Sequence, residues 1–302
     1  MSSDGEEAVV DSDTMVCCAS CGKAEVDDVK LKICTACKLV RYCSVECQKN
    51  HRPQHKKVCK KRAAEIRDDR LFTQPDGSYL GECPICLFPL PLNLRKSSIS
   101  SCCSKIICNG CEYANHIREE EEGLEHKCVF CREPLPKTQE EMEQNERLRV
   151  EANDPVAICG FGKRRYREGD HEGAFQYYTK AAALGDIESH YELAGAYHDG
   201  EGVEKNPKKA MYHLEEATLG GHPLARFNLA NLEGRNGRIE RAMKHFIIAA
   251  NLGDNDALEA VKDCFAKGLV SKEDHEAALR GHQASVDATK SAQRDAAEEF
   301  YN

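Results

Sequence analysis

The 302-residue sequence carries a formal net charge of −9 and has a pI near 5.8. This acidic balance argues against general nucleic-acid binding, which needs an excess of Lys and Arg to neutralise phosphates. Aromatic residues make up only 6% of the chain and Trp is absent, which leaves little material for one large hydrophobic core. Length and composition together predict two or three small units.

The first fifteen residues, "MSSDGEEAVVDSDTM", are acidic and poor in apolar side chains. We predict a disordered tail over residues 1–15. The segment lacks the basic and apolar regions of a secretory signal, and the sequence has no run of ~18 apolar residues that would predict a transmembrane helix. The expected location is therefore cytoplasmic or nuclear, where thiols stay reduced.

Cysteine is concentrated in one part of the chain, because sixteen of the 18 cysteines lie between Cys17 and Cys131. In a reducing compartment, clustered pairs of this kind favour metal binding over disulfides. The pairs form a first cysteine cluster at 16–60 and a second at 81–136. Residues 61–80 begin with helix formers and end in a Pro-Asp-Gly turn, so we predict a linker there.

The first cysteine cluster contains eight candidate ligands in four closely spaced pairs. A C-x-x-C turn places two thiolates on one side of a tight loop, and a pair four residues apart on a helix projects from one face. Eight ligands fill two closed sites, which are structural rather than catalytic. Cys17 could replace its neighbour, but the two-residue gap to the next cysteine favours Cys18. His51 lies outside the spacing and is predicted to be a surface residue. The candidate pairs are Cys18 and Cys21, Cys34 and Cys37, Cys43 and Cys47, and His55 and Cys59.

These ligands, together with "CGK" at 21–23, "VRYCS" at 40–44, "CQ" at 47–48 and "HK" at 55–56, resemble a MYND zinc finger over residues 18–59. The resemblance implies interleaved ligands. One zinc would be bound by Cys18, Cys21, Cys43 and Cys47, and the other by Cys34, Cys37, His55 and Cys59. The chain departs from many members at His51-Arg52, where they have His-Trp.

The second cysteine cluster reads "CPIC" at 83–86, "CC" at 102–103, "CNGC" at 108–111 and "CVFC" at 128–131. It resembles an all-cysteine RING finger. The resemblance implies one zinc on Cys83, Cys86, Cys108 and Cys111, and a second on Cys102, Cys103, Cys128 and Cys131. Adjacent cysteines in an extended strand point to opposite faces, so both bind one ion only if the backbone turns there. Alternatively one of them is a bystander, and His116 or His126 completes the site.

A RING finger performs no covalent chemistry; it holds a ubiquitin-loaded conjugating enzyme in a reactive geometry. The resemblance implies that Ile85 and Pro134 contact this enzyme and that Arg132 clamps ubiquitin. The Trp found on many active RING surfaces is missing.

The last part of the chain repeats itself. "KAAALGD" at 180–186, "EEATLGG" at 215–221 and "IAANLGD" at 248–254 recur 35 and 33 residues apart, a period that predicts stacked helix–turn–helix units. They resemble the Sel-like subclass of tetratricopeptide-like repeats, which implies a groove for a peptide or protein. We predict a helical linker at 137–154 and repeats over 155–302, closed by one long polar capping helix near 272–300.

The predicted fold is therefore multi-domain: two small zinc-stabilised α+β modules followed by an all-α helical repeat solenoid. The expected cofactor is Zn²⁺, four ions with two per finger. The leading hypothesis is a RING-type ubiquitin ligase whose MYND and repeat regions recruit partners. The alternative is a non-catalytic scaffold in which all three modules only bind proteins. The expected partners are proteins or peptides, including a ubiquitin-conjugating enzyme, and neither membrane nor nucleic acid.

Overall fold

The computed structural model describes residues 16–26, 28 and 30–301, so the predicted disordered tail at 1–15 lies outside the described residues. The chain divides into two compact units, one ending at Leu71 and one beginning at Phe72. Among the described residues, no helix combines the length and the apolar character needed to cross a membrane.

The first unit holds a two-stranded antiparallel sheet and one long helix. Strand β1 (Lys32–Ile33) pairs with β2 (Arg41–Tyr42), and helix α1 (Val45–Phe72) follows. Among the described residues, its core cluster is mainly cysteine, and the partly buried Val40 packs against it. The buried members are Cys18, Leu31, Cys34, Cys37 and Tyr42. So small an apolar core does not stabilise a unit of this size by burial alone.

Helix α1 extends well beyond the first cysteine cluster. It continues through "KRAAEIRDDRLF", so residues 61–72 of the predicted linker are helical. Cys47, His51, His55 and Cys59 recur every four residues and therefore share one face of the helix. Cys43 precedes α1, so of the Cys43–Cys47 pair only Cys47 lies on the helix.

The second unit begins with the second cysteine cluster. A short 3₁₀ helix (Leu94–Lys96) leads into β3 (Ser97–Ile99), which pairs antiparallel with β4 (Ile106–Cys108). Helix α2 (Asn109–Glu121) follows directly, and α3 (Gln139–Glu151) connects to the repeats. The apolar core cluster of this region consists of Cys83, Leu90, Ile107, Cys108 and Cys111.

The repeats consist of four helical pairs within the described residues. They are α4 (Pro155–Arg167) with α5 (His171–Ala183), α6 (Ile187–Asp199) with α7 (Pro207–Leu219), α8 (Pro223–Arg235) with α9 (Ile239–Asn251), and α10 (Asn255–Ala266) with α11 (Lys272–Ala288).

Small side chains allow the helices of the repeats to pack closely. Ala181, Ala217 and Ala249 are completely buried. The first helix of three pairs has an aspartate cap, because Asp154, Asp186 and Asp254 accept backbone N–H groups of the first turn. Local capping and alanine packing thus define the predicted solenoid.

The C-terminal segment differs from the single capping helix expected from the sequence. Helix α11 ends at Ala288, and a second helix, α12 (Ala292–Tyr301), follows it. The Ser291 hydroxyl caps the start of α12 by accepting the N–H of Arg294. Helix α12 packs on α2, where the ring centroids of Phe300 and Tyr113 lie 5.0 Å apart. The end of the chain therefore lies against the second cysteine cluster.

The rest of the predicted linker is attached to the repeats. The Tyr79 ring stacks on His222 with centroids 4.4 Å apart, and its backbone N–H donates to the carbonyl of Gly221. The Tyr79 hydroxyl donates to Glu188. Phe72 contacts His245 in α9, with ring centroids 4.6 Å apart. Aromatic anchors at both ends thus hold residues 72–79 on the repeat surface.

His222 replaces the aspartate that begins the neighbouring repeats. Its Nδ1 accepts the N–H of Ala225, as a capping aspartate would, so Nε2 carries the proton and donates to Glu188 at 3.2 Å. Burial would raise the pKa of the Glu188 carboxyl, but the bonds from His222, together with the Lys163 ammonium, lower it to about 2. Glu188 is therefore the charged acceptor at the centre of this contact.

Removal of the Tyr79 hydroxyl tests how much its hydrogen bond to Glu188 contributes to the stability of the second unit. We expect Tyr79→Phe to reduce the free energy of unfolding of the second unit by about 1.5–2 kcal/mol, because the lost hydrogen bond ends on a charged group. Tyr79→Ala also loses the ring and should cost ~3 kcal/mol. Denaturant titration of the full chain provides both values. Equal stability of Tyr79→Phe and the unchanged protein would contradict this account.

Candidate metal centres

Four loops of the two cysteine clusters share one backbone turn. In each loop, the residue four positions after a cysteine donates its N–H to the carbonyl of that cysteine at 2.9–3.0 Å. The same donor residue has a left-handed backbone, with φ between 56° and 73°. The turn brings two cysteine side chains to one side of the loop. The donors and their cysteines are Gly22 with Cys18, Lys38 with Cys34, Leu87 with Cys83, and Arg132 with Cys128.

The tertiary structure adds two further donors to each loop. In every resulting group, the sulfur and imidazole nitrogen atoms lie within 4.8 Å of one another. The four groups are Cys18, Cys21, Cys43 and Cys47; Cys34, Cys37, His55 and Cys59; Cys83, Cys86, Cys108 and Cys111; and Cys102, Cys103, Cys128 and Cys131. These are the sets named from the sequence, and their role as ligands stays a prediction.

The distances between donors match the size of a tetrahedral zinc site. Zn–S bonds of ~2.3 Å place the sulfurs of a tetrahedron ~3.8 Å apart. The sulfurs of Cys83 and Cys111 lie 3.8 Å apart, and so do those of Cys86 and Cys108. All four donors in this group are cysteine sulfurs, and zinc binds cysteine readily in its thiolate form. The residues present therefore fit a closed zinc site.

The adjacent pair Cys102–Cys103 lies in a turn. The N–H of Ser104 donates to the carbonyl of Ser100, and Ser104 has a left-handed φ of 56°. This turn brings the Cys102 sulfur to 3.3 Å from that of Cys131, and the Cys103 sulfur to 3.9 Å from that of Cys128. The backbone thus turns at Cys102–Cys103, as the binding of one ion by both residues requires.

The two histidines considered as substitutes have other partners. His126 Nδ1 lies 3.2 Å from the carboxylate of Glu119, which is almost fully buried. His116 Nε2 lies 3.3 Å from Glu120. Neither imidazole belongs to a donor group in the part of the chain that the structure describes.

Within one group, the thiols do not all ionise together. Backbone N–H groups of Cys21 and Cys43 lower the pKa of the Cys18 thiol to about 6. Hydrogen bonds to neighbouring sulfurs instead raise the pKa of Cys43 to about 12. Burial would raise the pKa of Cys128, but the Ser100 hydroxyl and nearby backbone N–H groups lower it to about 6. A divalent cation removes this conflict, because it stabilises all four thiolates at once.

The three predicted docking residues lie on the two loops of the second cysteine cluster. Ile85 is 42% exposed between Cys83 and Cys86. Pro134 is exposed and forms a bridge with Lys127 at the base of the second loop. The Arg132 guanidinium donates to the side-chain oxygen of Asn115 in α2 at 3.1 Å.

Two contacts beside the donor groups involve residues outside the predicted ligand sets. His51 Nδ1 lies 3.0 Å from the Tyr42 hydroxyl, and its ring stacks on His55. The predicted surface histidine therefore supports a candidate ligand, and its spacing from Cys47 and His55 was the available signal. Arg294 lies 3.4 Å from the Cys86 sulfur, and 208 residues separate the two, so no local pattern indicates this contact.

Comparison with family models assigns two parts of the chain. Residues 18–59 match the MYND finger. Residues 158–186, 187–222 and 223–254 match the Sel1 repeat. The chain therefore combines a zinc-binding MYND finger with Sel1 repeats. The resemblance of the second cysteine cluster to a RING finger stays a proposal.

Two curated bacterial proteins resemble part of the sequence. An uncharacterized protein of Neisseria meningitidis serogroup B is 33% identical over 117 residues, which is 39% of this chain and 25% of that protein. A Helicobacter pylori protein with the name "Putative beta-lactamase HcpC" is 39% identical over 56 residues, or 18% of this chain and 19% of that protein. The chain thus spans a quarter or less of these relatives.

Two solved structures are also similar. A Sel1 repeat protein from Oxalobacter formigenes is 24% identical, with a TM-score of 0.43 over 59% of this chain and 72% of that one. A protective antigen of uropathogenic Escherichia coli, which displays an SLR fold, is 20% identical, with a TM-score of 0.40 over 63% of this chain and 40% of that one.

The MYND finger and the Sel1 repeats together indicate a role in protein interaction. The first unit should depend on its metal for folding, since a structural zinc contributes ~10–16 kcal/mol of apparent binding free energy.

We expect a strong chelator to unfold residues 18–59 and to leave the repeats at 158–254 folded, because the repeats have their own apolar core. Hydrogen exchange of the full chain measures both regions. The same chelator saturated with zinc is the control. Protected amides in 18–59 after complete loss of zinc would contradict the expectation.

Proposed function

We propose that the chain is a zinc-dependent ubiquitin ligase in which the second cysteine cluster holds a ubiquitin-conjugating enzyme and the MYND finger and Sel1 repeats bind partners. The observation that carries the proposal is the interleaving of the eight thiols of this cluster. The first loop pairs with the β4–α2 junction, and the last loop pairs with the Cys102–Cys103 turn. A RING finger interleaves its ligand pairs in this order.

The exposed side chains of the loops support the docking assignment. Ile85, Leu87 and Leu135 are apolar and at least 42% exposed, and they flank the two loops. Exposed apolar side chains beside a rigid polar rim are typical of protein interfaces. The hydrogen bond between Arg132 and Asn115 joins the second loop to α2, so these two elements contribute to the proposed interface. No covalent chemistry is required of them, because positioning the thioester accelerates transfer.

Ile85 is the sharpest test of ligase activity. With activating enzyme, a panel of conjugating enzymes, ubiquitin and ATP, the full chain should produce ubiquitin chains, and Ile85→Ala should reduce their rate at least ~10-fold, as expected for a hot-spot contact of ~1.4 kcal/mol or more. Gel densitometry measures the rate.

Leu124→Ala is the matched control, because Leu124 is an equally exposed apolar residue beyond the end of α2. This variant should keep full activity. Normal activity of Ile85→Ala with its zinc retained would reject the docking assignment.

We further propose that the chain binds four zinc ions, one in each donor group. Elemental analysis should find four ions in the full chain and three in Cys103→Ser. Cys17→Ser, which changes an exposed cysteine outside the four groups, should keep four. His116→Ala should also keep four. Four ions in Cys103→Ser would show that this residue is a bystander.

The alternative function is a scaffold that binds proteins without catalysis. It is favoured by the absence of Trp and by the Arg132–Asn115 hydrogen bond, which engages the guanidinium that would clamp ubiquitin. A conjugating enzyme that fails to bind the full chain at any concentration tested would select this alternative.

A further inference from the structure

A guanidinium from the end of the chain lies against one of the four-cysteine groups. Arg294, in α12, donates from Nη2 to the Cys86 sulfur at 3.4 Å and to the carbonyl of Phe88 at 3.3 Å. From Nη1 it donates to the carbonyls of Pro89 at 2.7 Å and Thr289 at 2.8 Å. One side chain therefore joins α12 to both the sulfur and the backbone of the first loop.

The fold leaves room for this side chain at a specific position. A Cβ atom on Gly110, the second residue of α2, would lie 2.8 Å from Cγ of Arg294 and 3.0 Å from its Cα. Gly110 is located between two candidate ligands, Cys108 and Cys111. Any larger residue there would displace Arg294 from the cysteines, so the close approach depends on glycine.

The charge of the site explains what a guanidinium does there. A zinc ion with four thiolates has a net charge of −2, and such sites are stabilised by N–H donors to their sulfurs. The loop supplies backbone donors, whereas Arg294 supplies a full positive charge beside Cys86. Arginine suits this position because its planar group can donate to a sulfur and to several carbonyls at once.

We propose that Arg294 is an outer-shell partner of a zinc ion bound by Cys83, Cys86, Cys108 and Cys111, and that this ion in turn holds α12 against α2. The inference rests on the zinc sites of the proposed function. The coupling is reciprocal, because a residue that strengthens metal binding is itself held more strongly by the metal-bound state. The C-terminal helix thereby becomes part of the metal centre.

The first experiment compares Arg294→Gln and Arg294→Lys in the full zinc-loaded chain. Cysteine alkylation followed by mass spectrometry measures the exposure of each thiol in the presence of a competing chelator. In Arg294→Gln, alkylation of Cys86 and Cys108 should accelerate ~10–100-fold, the usual effect of removing an outer-shell partner. Arg294→Lys should be intermediate, since it keeps the charge but not the geometry.

Two controls separate this effect from a general loosening of α12. Glu298→Gln removes the exposed ion pair with Lys96 but keeps the guanidinium, so its alkylation rates should match those of the unchanged protein. Cys34, in the first unit, should react equally in all variants. With Co²⁺ in place of zinc, Arg294→Gln should also shift the sulfur-to-metal charge-transfer bands, which helix packing alone does not alter.

The reverse coupling is tested by removing a ligand. Cys108→Ser should increase hydrogen exchange in residues 292–301, and Cys34→Ser, which disrupts a site in the first unit, should not. Unchanged exchange of α12 in Cys108→Ser would overturn the proposed hold of the metal on the helix.

The outcomes distinguish the two proposals. If the unchanged protein has no zinc at Cys83, Cys86, Cys108 and Cys111, the zinc assignment of the proposed function fails. If zinc is bound there but Arg294→Gln alters neither the alkylation rates nor the cobalt spectrum, only the role of Arg294 is overturned.

Discussion

The repulsion between neighbouring thiolates is the constraint on which the cysteine-rich part of this protein depends. Sulfurs less than 4 Å apart cannot all ionise without a cation, and the opposite pKa shifts of Cys18 and Cys43 express that conflict. A zinc ion offsets this repulsion, because each thiolate forms a bond to the metal. Because Leu31 and Tyr42 are the buried members of the described core cluster besides its cysteines, the metal takes the place of a hydrophobic interior there.

The second unit combines this principle with ordinary helix packing. Its cysteine groups belong to the same compact unit as the repeats. The segment at 72–79 contacts the repeats, and helix α12 contacts the second cysteine cluster. Tyr79 donates a hydrogen bond to the carboxylate of Glu188, and Arg294 donates one to the sulfur of Cys86. If the second cysteine cluster holds a conjugating enzyme, a partner on the repeats would be presented from a connected body rather than across a flexible linker.

The repeats also illustrate how a small departure from a pattern creates a contact. Three neighbouring helix starts use aspartate as the cap, and the fourth uses His222. The imidazole keeps the capping bond through Nδ1 and gains a donor and a flat face for Tyr79. Capping and docking are thus performed by one side chain.

The spacing of the cysteines determined the candidate ligand pairs and the period of the repeats determined the solenoid, because loop turns and helix faces are local properties. The grouping of those pairs into four-donor sites came from the resemblance to MYND and RING fingers. The sequence also suggested that Cys102 and Cys103 require a turn, but only the tertiary structure provided it. The docking of Tyr79 and the approach of Arg294 to Cys86 were decided by contacts between residues more than 100 positions apart. Such contacts leave no periodic signal in the chain, since they depend on how finished elements pack.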